Sequence, residues 1–496
     1  MPGLLDLPPE ILREVLKLLT SGDLAKVCLT SSKLQCIAEC VLYTAVCLSP
    51  SSTQIFLSTI LNRPRLAALV LHLRSNWDTI STATTPGLRP LSANDLNLAM
   101  SRARSLGLNQ PKSQLWHFTA AYQHASIIDR HDISEWPKVN FDSFTMHYNL
   151  ILSNSPRRIL EWDDKSSLLK VPPELLQLGP ESLQLEAVQV VLILHLLPAL
   201  RTLESALPRV ADPERSEFLD VILEEQLSIP AKSLPVGLQS LCEIRGSVGP
   251  HTCRVTLKML LAMMRMPSIR KIGVRMAEVE TNPAEVINKI FAVNRKISSV
   301  TELDLDDCYM SAATLDEVLQ VPQALTHLSL RITGDFLGGS DSALPGMAIG
   351  HLRKTLQYLS LQLSERTIYD GREDDMTDGE GPHSIGSLCR WPQLRTIKTS
   401  LLPLLAQTDF RLGNVLPAVI RELTIENSEL WSCMATVDEV IDLVSHKDFY
   451  GASGLAVVNI SRWMVFGRRL ERLTAACDAG GVQLRLLETG QTDQIH

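Results

Sequence analysis

Three groups of side chains in this sequence have residue types that could do chemistry, and their spacing argues against each. Cys36 and Cys40 stand one helical turn apart, but no Cys-x-x-Cys pair occurs in the chain and no histidine or third cysteine joins them at ligand spacing. They read as small apolar side chains of a packed helix. His117, His124 and His131 recur every seven residues, roughly two helical turns or some 10 Å, which is too far to share one metal ion. They read as solvated or edge histidines. Between Asp370 and Pro382, six acids, one Arg and three Gly fall within 13 residues. A calcium loop would need a ligand where Met376 stands and a closing Glu, so the stretch reads instead as a disordered insertion between repeats. No phosphate loop, G-x-S-x-G elbow, H-E-x-x-H or dinucleotide fingerprint occurs. The motifs therefore assign no catalytic residue, cofactor or metal ligand. An enzyme with a site assembled from distant residues stays as an alternative and would need a pocket of converging titratable groups.

The elements around these residues are set by composition. The chain has 496 residues, of which 45% are apolar and 21% charged, with Gly 25 and Pro 27. That is a globular composition whose length alone suggests about three domains. Leucine is the outlier at 82, while Phe, Trp and Tyr together number 24. Many small repeated apolar layers fit such a chain better than one large core. The net charge of −8 argues against a dedicated nucleic-acid binder, which would show a basic stripe. The most apolar run, Val188 to Leu200, is interrupted by Gln189, His195 and Pro198, so no membrane span is expected. No basic residue precedes Arg13, as a secretory n-region would require, and an intracellular location in cytoplasm or nucleus is expected.

The first fifty residues read as three short helices. Pro8-Pro9-Glu10 suits a first helical turn, because proline's missing N–H has no partner there and Glu10 complements the helix dipole. Ile11, Leu12, Val15, Leu16, Leu18 and Leu19 then make one wide apolar face. Ser21-Gly22 breaks the helix, Asp23 is placed to cap a second, and Ser31-Ser32 to cap a third. Such helices cannot bury a useful core alone. Their apolar face is a docking candidate, or else the core of an N-terminal cap.

The order of Leu7-Pro8-Pro9-Glu10-Ile11, Val15, Leu18 and Leu19, Asp23-Leu24, Val27-Cys28, Lys33-Leu34 and Ile37-Ala38 resembles an F-box. The run Leu42 to Val46 resembles the tail of many fungal members, although Leu34 stands where many F-boxes carry an aromatic residue. The resemblance covers about 45 residues. It implies binding to the SKP-type adaptor of a cullin ubiquitin ligase, with Leu7, Pro8, Ile11, Val15, Leu24, Val27 and Leu34 supplying apolar surface. A second Pro-Pro-Glu-Leu-Leu at Pro172 to Leu176 is ended by Gly179-Pro180 and is not a second F-box.

The leucine excess has a period. Val300 to Cys308 fits L-x-x-L-x-L-x-x-N/C with Val in the first place, and shorter copies surround Leu328, Leu359, Leu423, Ile272 and Val458. Weaker copies start at Leu200, Leu238 and Leu394, and an early one runs Leu66, Leu69, Leu71. Taken at the middle position, 203, 241, 272, 303, 328, 359, 397, 423 and 458, the steps run from 25 to 38 residues. Proline turns at Pro198, Pro267, Pro322, Pro392 and Pro417 precede strands, and helix-like stretches lie between them. A unit of helix, turn and strand leaves an apolar edge that only a stacked neighbour covers. The expected fold class is therefore α/β: an F-box followed by an irregular leucine-rich-repeat solenoid with a parallel, curved sheet. Parallel strands of an ordinary α/β domain would produce similar triplets. Near the end, a helix from about Leu470 to Cys477 should stop at Gly480-Gly481, and Val482, Leu484 and Leu486 should alternate as a last strand.

The domain expectation is thus a docking module at 1–48, a repeat array at 49–490 and a frayed tail at 491–496. A helical, aromatic-rich block near 100–165 and the acidic loop at 370–382 interrupt the array. Strand alternation directs Lys271, Arg275, Glu302, Asp304, Asp306, His327, Arg331, Tyr358, Lys398, Glu422 and Glu426 outward. That face is a candidate target-binding surface, though a merely solvated sheet would look the same. Reversal of Glu302, Asp304 and Asp306 to Lys should weaken target capture without unfolding the chain. The functional expectation is a non-catalytic substrate-recognition subunit of an SKP–cullin–F-box ubiquitin ligase. A scaffold acting outside ubiquitin transfer is the alternative.

Overall fold

The computed structural model describes residues 4–75, 94–95, 98–99, 101–102, 192–205, 238–246, 257–275, 298–308, 312–332, 349–363, 387–399, 411–426, 433–462, 465 and 467–487. The aromatic-rich block, its three histidines, the second Pro-Pro-Glu-Leu-Leu, the acidic loop and the polar tail lie outside these residues. The chain divides into two compact units, one of Met1–Cys242 with Gly249–Thr252 and one of Glu243–Val248 with Cys253–His496.

In the first unit a 3₁₀ turn at Leu4–Asp6 leads into α1 (Pro9–Leu16), α2 (Ser21–Val27) and α3 (Ser32–Thr44). Leu16, Leu24 and Ala38 form their shared core, with Val27, Cys28, Ile37, Val41 and Leu42 packed against it. The caps differ partly from expectation. Ser31 caps α3 by accepting from the Leu34 N–H at 3.2 Å, as its type predicts. For α2 the cap is Thr20, whose hydroxyl accepts from the Asp23 N–H at 3.2 Å; Asp23 is three residues inside the helix. There its carboxylate accepts from the Thr20 hydroxyl at 2.8 Å, a reciprocal arrangement that satisfies the first turn.

After α3 the chain enters β1 (Ala45–Leu48), then α4 (Pro50–Asn62), α5 (Pro64–Ala67) and β2 (His72–Ser75), with β3 (Thr202–Ser205) further along. These strands are parallel, and register aligns Val46, Leu73 and Leu203. The early repeat is therefore Val70 and Leu73, both buried, and not Leu66, Leu69, Leu71. Leucine density misleads there, because the residue in the strand row is Leu73, four residues after the Leu69 that the triplet implies.

The second unit holds nine described strands: β4 (Glu243–Gly246), β5 (Lys271–Arg275), β6 (Glu302–Cys308), β7 (His327–Ile332), β8 (Tyr358–Leu363), β9 (Thr396–Thr399), β10 (Glu422–Ile425), β11 (Val457–Ser461) and β12 (Gln483–Leu487). Each pairs in parallel with the next in sequence. Parallel neighbours require a crossover. Helices supply it at α6 (Leu257–Arg265), α7 (Ala312–Leu319), α8 (Leu412–Val415), α9 (Cys433–Ser445) and α10 (Arg468–Gly480), and a 3₁₀ turn at Gly350–Lys354 does so before β8.

Register stacks the repeat into rows. Ile244, Ile272, Leu303, Leu328, Leu359, Ile397, Leu423, Val458 and Leu484 share one row. All of them but the last are buried. The marker at 241 is thus corrected to Ile244, three residues on. Leu241 instead plays the part that Ile269, Leu394 and Ile420 play before their strands, donating its N–H to a carbonyl three residues back. Prolines Pro198, Pro267 and Pro392 occupy the second place of such turns, where a fixed φ near −65° is wanted. At several strand entries one carbonyl accepts two N–H groups from the following strand, as Arg270 does from Thr301 and Glu302, and Arg395 from Arg421 and Glu422. The last strand agrees with expectation. Gly481 takes φ 63° after α10, and the Val482 N–H reaches back to the Cys477 carbonyl at 2.8 Å.

Candidate functional site

Two surfaces carry the predicted residues, one in each unit. On the N-terminal helices the wide apolar face of α1 is split. Leu12 and Leu16 point into the core. Ile11 (49% exposed), Val15 (40%) and Leu18 (85%) recur at i, i+4 and i+7 and face solvent. Leu4, Leu5, Leu19 and Leu29 are exposed as well. Of the residues named from sequence, Pro8 is exposed with Ile11 and Val15, and Leu7 and Val27 are half-buried. Leu24 (5% exposed) and Leu34 are buried, so in this chain they hold the helices together and offer no contact surface. The contact residues implied by the resemblance omit Leu18 and Leu29, although Leu18 belongs to the apolar face read from the sequence. It continues the spacing of Ile11 and Val15 by one more turn.

A buried charge ties these helices to the segment that leads into the sheet. Glu39 on α3, 4% exposed, accepts from Arg63, from Arg65 at 3.0 Å and from the Gln35 amide at 2.9 Å. Burial pushes the Glu39 carboxyl up, but the hydrogen bonds from Arg63 and Gln35 and the charges of both arginines outweigh it and hold the carboxyl below its ordinary value. Arg63 precedes α5 and Arg65 lies on it, so the pair fixes the segment entering β2 against the third helix. At the other end, the Lys33 ammonium donates to the Leu5 carbonyl and pins the leading 3₁₀ turn to α3.

In the second unit, the outward positions fall in rows of their own. Lys271, Glu302, His327, Tyr358, Thr396 and Glu422 make one row, and Gly273, Asp304, Ser329, Ser360, Lys398 and Thr424 make the next. Register sets Arg275 beside Asp306. The face is polar but mutually paired. Lys271 meets Glu302 at 3.0 Å, Arg331 meets Asp306 at 3.1 Å, and Lys398 meets Glu426 at 3.1 Å. Arg331 also donates to Gln362 at 2.9 Å, and Gln362 donates to Glu426, which links β6 to the end of β10 in one network. Reversal of Glu302 and Asp306 would therefore set like charges against Lys271 and Arg331, a consequence that sequence alone does not show. The more exposed of these, Lys271–Glu302, is worth about 0–1 kcal/mol.

His327 and Tyr358 stack, with ring centroids 5.7 Å apart and planes at 21°. Burial raises the Tyr358 hydroxyl pKa first, a hydrogen bond with Ser360 lowers it, and the carboxylates of Asp304, Glu426 and Glu422 raise it further. Glu422 accepts from the Asn459 amide at 2.8 Å, a neutral donor. Among the described residues, no three His, Cys, Asp or Glu side chains group as a metal site would. No helix among them is long and apolar enough to cross a membrane.

Residues 4–41 match the F-box domain family. The matched span contains α1, α2 and most of α3, together with every exposed apolar residue named above on these helices and the turns that lead into and join them. F-box domains bind SKP-type adaptors, and a chain that carries one is in general an adaptor subunit of a ubiquitin ligase of the SKP–cullin–F-box type. No curated protein matches the chain.

Proposed function

We propose that this chain is the substrate-recognition subunit of an SKP–cullin–F-box ubiquitin ligase. It acts inside the cell and catalyses nothing itself. The observation that carries this reading is the F-box match at residues 4–41 with Ile11 and Val15 on α1 and Leu18 in the turn after it left in solvent. An apolar stripe of that kind on a folded, well-capped bundle is surface for a partner. The docking module, a fungal-type F-box, spans 1–48, and residues 49–490 form an irregular leucine-rich-repeat array. The outward face around Glu302, Asp304, Tyr358 and Glu422 holds the target. The contribution to ubiquitin transfer is proximity, which raises the effective concentration of target lysines at the charged enzyme.

Co-expression of the chain with an SKP-type adaptor tests the first half. The wild type should co-purify with it, and Ile11→Asp combined with Val15→Asp should abolish the complex while leaving the circular dichroism spectrum unchanged. Retention of the complex by that variant would remove the N-terminal stripe from the proposal. Transfer of ubiquitin to a captured protein by the reconstituted ligase then separates this reading from a scaffold acting outside ubiquitin transfer.

A further inference from the structure

Exposed positive charge in the second unit collects on one edge, where the chain enters β8, β9 and β10. The segments 349–357, 387–395 and 411–421 that lead into these strands hold Arg353, Lys354, Arg390, Arg395, Arg411 and Arg421 and no Asp or Glu. All six cations are exposed. Arg411 is neutralised by Asp442, which it meets at 3.3 Å. The other five form no ion pair among the described residues. His351 of the first segment is tied to α7, where it lies 3.4 Å from Asp316.

The main chain sets these cations side by side. Arg421 donates its backbone N–H to the Arg395 carbonyl at 2.8 Å, so the two arginines begin neighbouring strands about 4.8 Å apart. One entry earlier, the Arg353 guanidinium donates to the Arg390 carbonyl at 2.6 Å, which joins the turn before β8 to the turn before β9. Glu422, next along the chain, is half-buried on the outward face, where it accepts from Asn459 at 2.8 Å. Guanidinium groups without a counter-charge repel each other and attract an anion, which each binds through a fork of N–H donors. The flanking residues of the same ladder, Gln357 and Ala456, are neutral, so the arginine pair is bounded on both sides. From β8 to β10 the edge spans two strand spacings, about 10 Å or the length of three extended residues. A nucleic acid needs a longer track of phosphate contacts, and the Trp of these segments, Trp391, is 5% exposed and offers no ring for a base to stack on.

We propose that this edge binds an acidic segment of a partner protein, with Asp or Glu carboxylates accepting hydrogen bonds from Arg395 and Arg421. Arg353, Lys354 and Arg390 add charge beside them, and Val419, 39% exposed two residues before Arg421, offers apolar contact. The edge uses none of the outward-row side chains proposed for the target. The inference therefore goes beyond that reading and does not depend on it.

The test uses the full chain and a fluorescein-labelled nonapeptide of Gly and Ser carrying three glutamates, followed by anisotropy at low and at physiological salt. Control peptides carry glutamine, the neutral isostere, or lysine in place of glutamate. The glutamate peptide should bind at least fivefold more tightly than either, and less tightly as salt rises. Arg395→Gln with Arg421→Gln should weaken it at least fivefold while the melting temperature stays unchanged. Arg468→Gln with Arg485→Gln removes equal charge from α10 and β12 and should change it less than twofold. Equal binding of the glutamate and glutamine peptides overturns the inference. An effect of the Arg468 and Arg485 pair as large as that of Arg395 and Arg421 also overturns it, since attraction would then follow net charge alone. Binding of a phosphoserine peptide or of oligothymidylate without binding of the glutamate peptide would assign the edge to phosphate and overturn the carboxylate assignment. A glutamate peptide that binds only after the six acids between Asp370 and Pro382 are replaced by their amides would make the chain's own acidic run the occupant, against the inference. Adaptor binding uses the N-terminal helices, so loss of peptide binding with the adaptor complex intact refutes this inference alone. Loss of the adaptor complex refutes the functional reading and leaves the peptide titration interpretable.

Discussion

Replacement of Glu39 by Gln isolates the contact that anchors the third F-box helix to the segment entering β2. The substitution keeps the size, turns one accepting oxygen into a donating NH2 and removes the charge that Arg63 and Arg65 share. Removing one partner of a fully buried ion pair costs about 3–5 kcal/mol, mainly because the other charge is stranded. Here the arginine side chains keep 39% and 63% of their exposure and can return to water. The loss is therefore closer to that of hydrogen bonds to a charged group, about 1.5–3 kcal/mol. Hydrogen exchange read by mass spectrometry on the full chain reports it locally. Amides of α3 should exchange roughly 10- to 100-fold faster in Glu39→Gln at pH 7 after correction for intrinsic rates.

The pH dependence comes from the direction of the Glu39 shift. Its folded pKa lies below the ordinary 4.5, so the carboxylate's contribution is fully present above 4.5 and is lost as pH falls through the folded value. Wild type and Glu39→Gln should therefore differ at pH 7 and converge in acid below pH 4.5. Equal α3 protection in the two proteins at pH 7 would show that the pair is only a surface contact and would refute its role as the anchor.

Three further outcomes are expected. Leu24→Ala opens a cavity in the core that Leu16 and Ala38 share and should cost about 2–5 kcal/mol in urea unfolding, whereas Leu18→Ala at an exposed site should stay within about 0.5 kcal/mol of wild type. Gly413→Ala sets a Cβ 2.3–2.6 Å from the Tyr450 ring. The ring must then move off its 2.6 Å hydrogen bond to Asp442, and thermal unfolding should show a loss of about 1–3 kcal/mol. Gly481→Ala forces a side chain into φ 63° at the end of α10 and should raise exchange of β12 amides, with a cost of about 1–2 kcal/mol.

Most of what repeats or caps locally is legible in the sequence, although Thr20 and not Asp23 caps α2. Leu303, Leu328, Leu359 and Leu423 align by spacing alone because a parallel row demands the same buried apolar residue at each step, and register confirms the alignment. The polarity of the outward rows comes from strand alternation. The pairing of those side chains does not, since Lys271 and Glu302 or Lys398 and Glu426 meet across strands about 30 residues apart. The two misplaced repeats have one cause: Leu241 and Leu69 are as apolar as the strand residues after them, so leucine spacing cannot tell turn from strand. On α1 the same ambiguity runs the other way. Leu12 and Ile11 are equally apolar, and only packing against α3 settles that one is core and the other is surface. Resemblance offers Leu24 and Leu34 as contact residues because it conveys a motif and not its burial. Glu39 gives no signal at all, because a glutamate inside an amphipathic helix reads as solvated until Arg63 and Arg65 are brought to it.

Docking of the N-terminal helices on an adaptor, through residues the fold leaves exposed, is the step on which the proposed function depends. Titration of the purified full chain with purified SKP-type adaptor, read by isothermal calorimetry, measures it. Burial of Leu18, 85% exposed when free, is worth up to about 2 kcal/mol, and Ile11 and Val15 each about 1 kcal/mol. The expected result is a one-to-one complex with a negative heat-capacity change, weakened roughly 10- to 30-fold by Leu18→Ala. A complex of unchanged affinity in Leu18→Ala and in Ile11→Asp with Val15→Asp, or no complex with the wild type, would contradict it.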